Sequence, residues 1–119
     1  MAQANFMLGG MPHRWSQIAS ATNGIATATR AAEQNRRHYI TGIVISASGA
    51  PAAAVQVDIR KGAGDFISAE IPTSAFVPIM WELKRPIEGN INEAVSIVLP
   101  ALGAGITGTV ALMGFTTTA

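Results

Sequence analysis

The sequence predicts an all-β sandwich, and three observations predict it. Apolar and polar residues alternate strictly over residues 55–60, with Val55, Val57 and Ile59 on one face and Gln56, Asp58 and Arg60 on the other; this is the period of a half-buried strand. Residues 39–47 are rich in β-branched and aromatic side chains and apolar on both faces, as a central strand is. Turn-forming Gly, Pro, Asn and Ser recur about every 8–14 residues between such runs, a spacing that marks sandwiches and barrels. Helical spacings of three and four are not sustained beyond residue 37, which argues against a helix-rich fold.

Taken in order, residues 1–13 read as an N-terminal arm, because Gly9, Gly10 and Pro12 interrupt any regular element and chain termini stay loose unless docked. Residues 14–119 read as one domain. Residues 14–19 fit a short strand, and residues 22–25, with Asn23 and Gly24, fit a turn. Residues 24–34 are alanine-rich, compatible with a helix by propensity. They also alternate, Ile25, Thr27 and Thr29 against Ala26 and Ala28, and the extended reading is preferred. After the 39–47 strand, residues 48–51 have turn chemistry. Residues 61–64 are a hairpin-length connection between the 55–60 strand and a second alternating run, 66–71, with Ile67, Ala69 and Ile71 on one face. Pro72 stops that run. Residues 79–84 place Ile79, Trp81 and Leu83 on one face, which makes Trp81 a core residue. Pro86, Gly89 and Asn90 then read as a loop. Residues 94–99, ended by Pro100, and residues 106–115 complete about six to eight antiparallel strands.

Composition narrows the function. Of 119 residues only 13% are Asp, Glu, Lys or Arg, against 49% apolar; soluble domains usually carry about 25% charged residues. Large uncharged surface usually meets another surface. The net charge of +1 speaks against a dedicated nucleic-acid binder. Residues 1–37 sum to +3 and residues 38–119 to −2, an asymmetry that favours self-association or docking on an acidic partner. There is no cysteine, so a disulfide framework, thiolate metal ligands and a Cys nucleophile are excluded. The start lacks the charged and apolar regions of a signal peptide. Residues 94–119 carry no charge, but Pro100, Gly103, Gly105, Gly108 and Gly114 suit two strands joined by a turn better than a membrane helix.

Reactive groups are few. His13 and His38 are separate in sequence, and two histidines do not make a zinc site. Asp58, Glu70 and Glu82 each lie on the polar face of a strand, where charges keep strands soluble and discourage edge pairing. Gly62 and Gly64 lack the third glycine and following helix of a dinucleotide loop. No base, orienting group and nucleophile assemble, so no enzyme, metal or cofactor is expected. Arg36, Arg37 and His38 are too few for a phosphate-tracking stripe and suit salt bridges better. Trp15 beside Arg14 suits either local packing or an interface anchor. Phe6, Leu8, Arg14 and Trp15 are the candidate partner contacts.

The series Arg37-His38-Tyr39-Ile40-Thr41-Gly42-Ile43, Asp58-Ile59-Arg60-Lys61-Gly62, residues 86–97 from Pro86 to Ile97, and Thr107-Gly108-Thr109-Val110 with Gly114-Phe115 resembles small virion proteins of tailed bacteriophages, of the head decoration or cement type. The likeness spans residues 15–116. It implies a jelly-roll-like β-sandwich, a homotrimer that clamps the major capsid protein of the assembled head, and a location on the virion surface after passage through the host cytoplasm. It supplies no transferable site. A tail, neck or spike component shares the same features. A carbohydrate-binding sandwich would need exposed aromatics, and a cupin-type enzyme a histidine cluster.

Overall fold

The computed structural model describes residues 13–62, 64–71 and 79–118. Eight strands form among these residues: β1 (His13–Thr22), β2 (Ala26–Arg30), β3 (Arg36–Ala47), β4 (Val55–Lys61), β5 (Gly64–Ile71), β6 (Ile79–Glu88), β7 (Val95–Leu99) and β8 (Thr107–Thr118). They make two four-stranded antiparallel sheets, ordered β1-β8-β3-β6 and β2-β7-β4-β5, with no helix among the described residues. The chain changes sheet at every connection except β4 to β5. The pairs are nested: β1 with β8, β2 with β7, β3 with β6 and β4 with β5.

The ambiguous segment 14–36 is extended. β1 ends at Thr22, Asn23 turns with φ 48°, and β2 begins at Ala26. Asparagine tolerates this left-handed conformation, and Asn35 and Asn92 adopt it in the β2–β3 and β6–β7 turns. Alanine-rich β2 is a strand because Ala26 and Ala28 are small enough to pack flat in the core while Thr27 and Thr29 face outward. Tertiary packing thus overrides helical propensity. The β4–β5 hairpin closes Lys61 on Gly64, with Gly62 at φ 63°, a conformation glycine adopts without strain.

The interior lies between the sheets. Ile40, Ile43, Val110 and Leu112 from the first sheet meet Val57, Ile59, Ile97 and Leu99 from the second. Val57 and Ile59 point inward as the alternation predicts, with Val55 at the margin. The Ile67, Ala69 and Ile71 side chains lie outside the described set.

Two expectations change. Trp81 is not a core residue: it is 42% exposed. It stands opposite Ile43 and shares a face with Ile79, opposite Ile45. The phase is as read, but β6 is an edge strand, where an inward-phased side chain has a neighbouring strand on one side only. Residues 86–88 are not a loop either. β6 continues to Glu88 because residues 83–86 bulge out, so that Glu82 pairs with Gly42 and Ile87 with Ile40. Pro86 sits in this bulge, where proline's missing donor breaks no ladder bond.

Candidate functional site

The outer face of the sheet β1-β8-β3-β6 carries no charge on its central strands below Tyr39 and confines its charged side chains to its upper end and edges. Its composition follows from its strands. β8 has no charged residue, and β3 has none after His38. Register sets the side chains in rows across the sheet. One row reads Arg14, Phe115, Tyr39, Glu88. The next reads Ser16, Met113, Gly42, Glu82, and the third Ile18, Ala111, Val44, Met80. Below these, hydroxyls join strands: Ser20 to Thr109 at 2.9 Å and Thr22 to Thr107 at 2.7 Å.

The third row is apolar from edge to edge. Its ends stand out in solvent, Ile18 at 74% and Met80 at 71% exposed. In the first row the Tyr39 and Phe115 rings stack at 4.7 Å between centroids, a favourable aromatic geometry. At the β6 edge, Glu88 Oε2 accepts hydrogen bonds from Arg37 Nη1 at 3.1 Å and from the Tyr39 hydroxyl at 3.2 Å. Between these rows Met113 lies over Gly42: a Cβ there would come within 2.9 Å of the Met113 methyl. A cavity of about 290 Å³ opens beside the β3 bulge, lined among the described residues by Arg14, Thr41, Gly114 and Phe115. The Thr41 hydroxyl is already donated to the Met113 carbonyl.

Of the four candidate partner contacts, Phe6 and Leu8 lie outside the described residues. Arg14 is exposed at the β1 edge, and no ion pair forms to it among the described residues. Trp15 is only 9% exposed and faces the interior, so its ring serves local packing. Its Nε1 donates to the Thr116 hydroxyl at 2.9 Å, and Thr116 Oγ1 lies 2.6 Å from His38 Nδ1. His38 Nε2 lies 2.7 Å from the Ala31 carbonyl. A carbonyl only accepts, so Nε2 carries the proton. In the neutral ring Nδ1 then accepts from Thr116, and every polar atom of the node is satisfied. The Trp15 and His38 rings meet edge to face at 5.9 Å, and the Arg30 guanidinium lies 5.6 Å from the Trp15 ring centroid.

This node ties β1, β3 and β8 together and was not visible in the sequence. His38 and Thr116 are 78 residues apart and Trp15 and Thr116 are 101 apart; only the register of β8 brings them together. The neighbouring arginines form salt bridges as read, Arg36 with Glu33 at 3.6 Å and Arg37 with Glu88 at 3.1 Å. Asp58 and Glu82 lie on different sheets, and Asp58 accepts from Ser68 at 2.6 Å. No cluster of three or more His, Asp or Glu among the described residues could hold a metal. Among the described residues no helix is long and apolar enough to cross a membrane. Compared with known proteins, the chain matches no family model and no curated protein.

Proposed function

We propose that this chain is a non-enzymatic structural protein of a tailed-bacteriophage virion, a decoration or cement protein built on a jelly roll. The observation that carries the reading is the outer face of β1-β8-β3-β6, with a continuous apolar row and no charge on its two central strands between Tyr39 and Ala47 or anywhere along β8. Such a face suits burial against protein, because exposed apolar patches mark interaction surfaces. The jelly-roll assignment is supported by the nested pairing, the pattern obtained when one long antiparallel hairpin is wound around itself into two sheets. The likeness of residues 15–116 to small phage head proteins supports the location.

In this reading the sandwich self-associates through its low-charge face, and residues 1–13 reach the major capsid protein with Phe6 and Leu8 as anchors. Binding to the assembled lattice but not to free subunits stabilises the head by mass action. Removing residues 1–12, which precede β1, is expected to abolish co-sedimentation with heads assembled from the major capsid protein of the same genome. The melting transition of the sandwich should stay unchanged. Undiminished binding by the truncated chain would remove the arm from the mechanism.

One observation favours a second reading. Trp81 is exposed at the β6 edge, and exposed aromatics are what a carbohydrate-binding sandwich uses. Saturable binding on a glycan array, lost in Trp81→Ala, would support it over the virion reading.

A further inference from the structure

We propose that the outer face of β1-β8-β3-β6 docks on the same face of a second copy, about a two-fold axis parallel to the strands. The inference rests on the self-association part of the reading above, takes a two-fold pair in place of the homotrimer that the resemblance implies, and names the surface, the symmetry and the contacts.

The rows determine the symmetry. A two-fold axis running along the strands, above the middle of the sheet, turns the face over while keeping each row at its own height. It sets the β1 edge of one copy over the β6 edge of the other and β8 over β3. Within the apolar row, Ile18 then meets the second copy's Met80, and Ala111 meets its Val44. Both exposed ends of the row are covered by apolar partners. In the row above, Arg14 comes over the second copy's Glu88, and the symmetry repeats the pair on the opposite edge. Arg14 has no ion pair among the described residues. Glu88 holds Arg37 and Tyr39 on Oε2, and Oε1 makes no hydrogen bond among the described residues. The carboxylate therefore has an oxygen left for a second guanidinium. A two-fold axis across the strands could lay the apolar row on itself, but it keeps each strand over its own copy and so never brings Arg14 at the β1 edge to Glu88 at the β6 edge. Charge complementarity thus selects one of the two isologous arrangements.

The area is sufficient. Four strands about 4.8 Å apart, with rows spanning nine residues at about 3.4 Å each, give roughly 600 Å² per copy. A pair buries roughly 1,200 Å², above the ~1,000 Å² expected of a specific interface. Two such sheets pack about 10 Å apart, a distance that apolar side chains of this size fill.

The test is light scattering on the full chain over a concentration series, with four variants. The wild type is expected at twice its 12.3 kDa chain mass. Ile18→Glu places a carboxylate against the second copy's Met80 and should give the monomer mass; its side chain is exposed, so its thermal melt should fall below the wild type's only by the concentration-dependent part that dimerisation contributes. Arg14→Glu and Glu88→Arg should each weaken dimerisation by about tenfold or more. The double variant R14E/E88R should recover most of that loss, because it rebuilds both pairs with reversed sign. A monomer mass for the wild type, a trimer mass, or a dimer unmoved by Ile18→Glu overturns the proposal. Head binding is read separately by co-sedimentation. A dimer that ignores heads would sink the virion reading and leave this interface standing, and a monomer that binds heads would do the reverse.

Discussion

Replacing Trp15 with alanine is expected to cost about 3–5 kcal/mol, the range for deleting a large buried aromatic. At roughly 4 °C per kcal/mol for a domain of this length, the melting temperature falls by more than about 10 °C. The loss combines three effects. The ring leaves a void between β1 and the second sheet, Arg30 loses the face it covers, and the edge-to-face contact with His38 goes. Trp15→Phe separates packing from hydrogen bonding. It keeps an aromatic ring but removes the Nε1 donor to Thr116, and the hydroxyl still donates to His38. Its cost should therefore be nearer the ~1 kcal/mol of a single hydrogen bond plus a small volume change. Chemical denaturation of both variants checks the ordering. A Trp15→Ala protein within about 1 kcal/mol of the wild type would contradict the placement of this ring in the core.

Gly114→Ala is expected to be at least as damaging, for a different reason. Gly114 pairs with Trp15 on one side and Ile40 on the other, beside the bulge at Thr41. A Cβ at Gly114 would collide with the Tyr39 carbonyl oxygen and come within 2.7 Å of the Trp15 ring. The first obstacle is backbone, which cannot rotate away, and the second is a ring locked by its own hydrogen bond. Overpacking a core costs about 1–3 kcal/mol when side chains can adjust; here the cost should lie at or above the top of that range. Gly49→Ala is the internal control, since nothing lies within 4 Å of its added Cβ, and surface changes of this kind usually stay within about 0.5 kcal/mol. Comparable stability of Gly114→Ala and Gly49→Ala would contradict the close approach of β3 and β8.

These two positions also show what could and could not be read from the sequence. The strands were legible wherever alternation or β-branched residues were strong, as over residues 55–60 and 39–47, because strand periodicity is a local property. Trp15 and Trp81 show the limit. Each sits in phase with inward-facing neighbours, and the sequence does not say which strand will be an edge. Trp15, also on an edge strand, is closed in by Arg30 from the second sheet, whereas Trp81 on β6 stays partly in solvent. In the sequence Gly114 is one of several residues that interrupt a membrane helix, and only the approach of the Tyr39 carbonyl and the Trp15 ring explains why no side chain fits there. Residues 95–99 and 107–118 follow one another in sequence yet belong to different sheets, so the turn between them is a crossover rather than a hairpin. The apolar row was the least legible feature. Ile18, Val44, Met80 and Ala111 come from four separate strands, and each one alone is an unremarked exposed or half-exposed apolar residue.

The proposed role of the chain is to hold together an assembled protein lattice. Co-sedimentation of the full chain with assembled heads, set beside its binding to the free major capsid subunit, tests this most directly. Saturable binding to heads and none to free subunits is expected, with loaded heads surviving heating that opens unloaded ones. A chain that stays in the supernatant at every concentration of heads would contradict it.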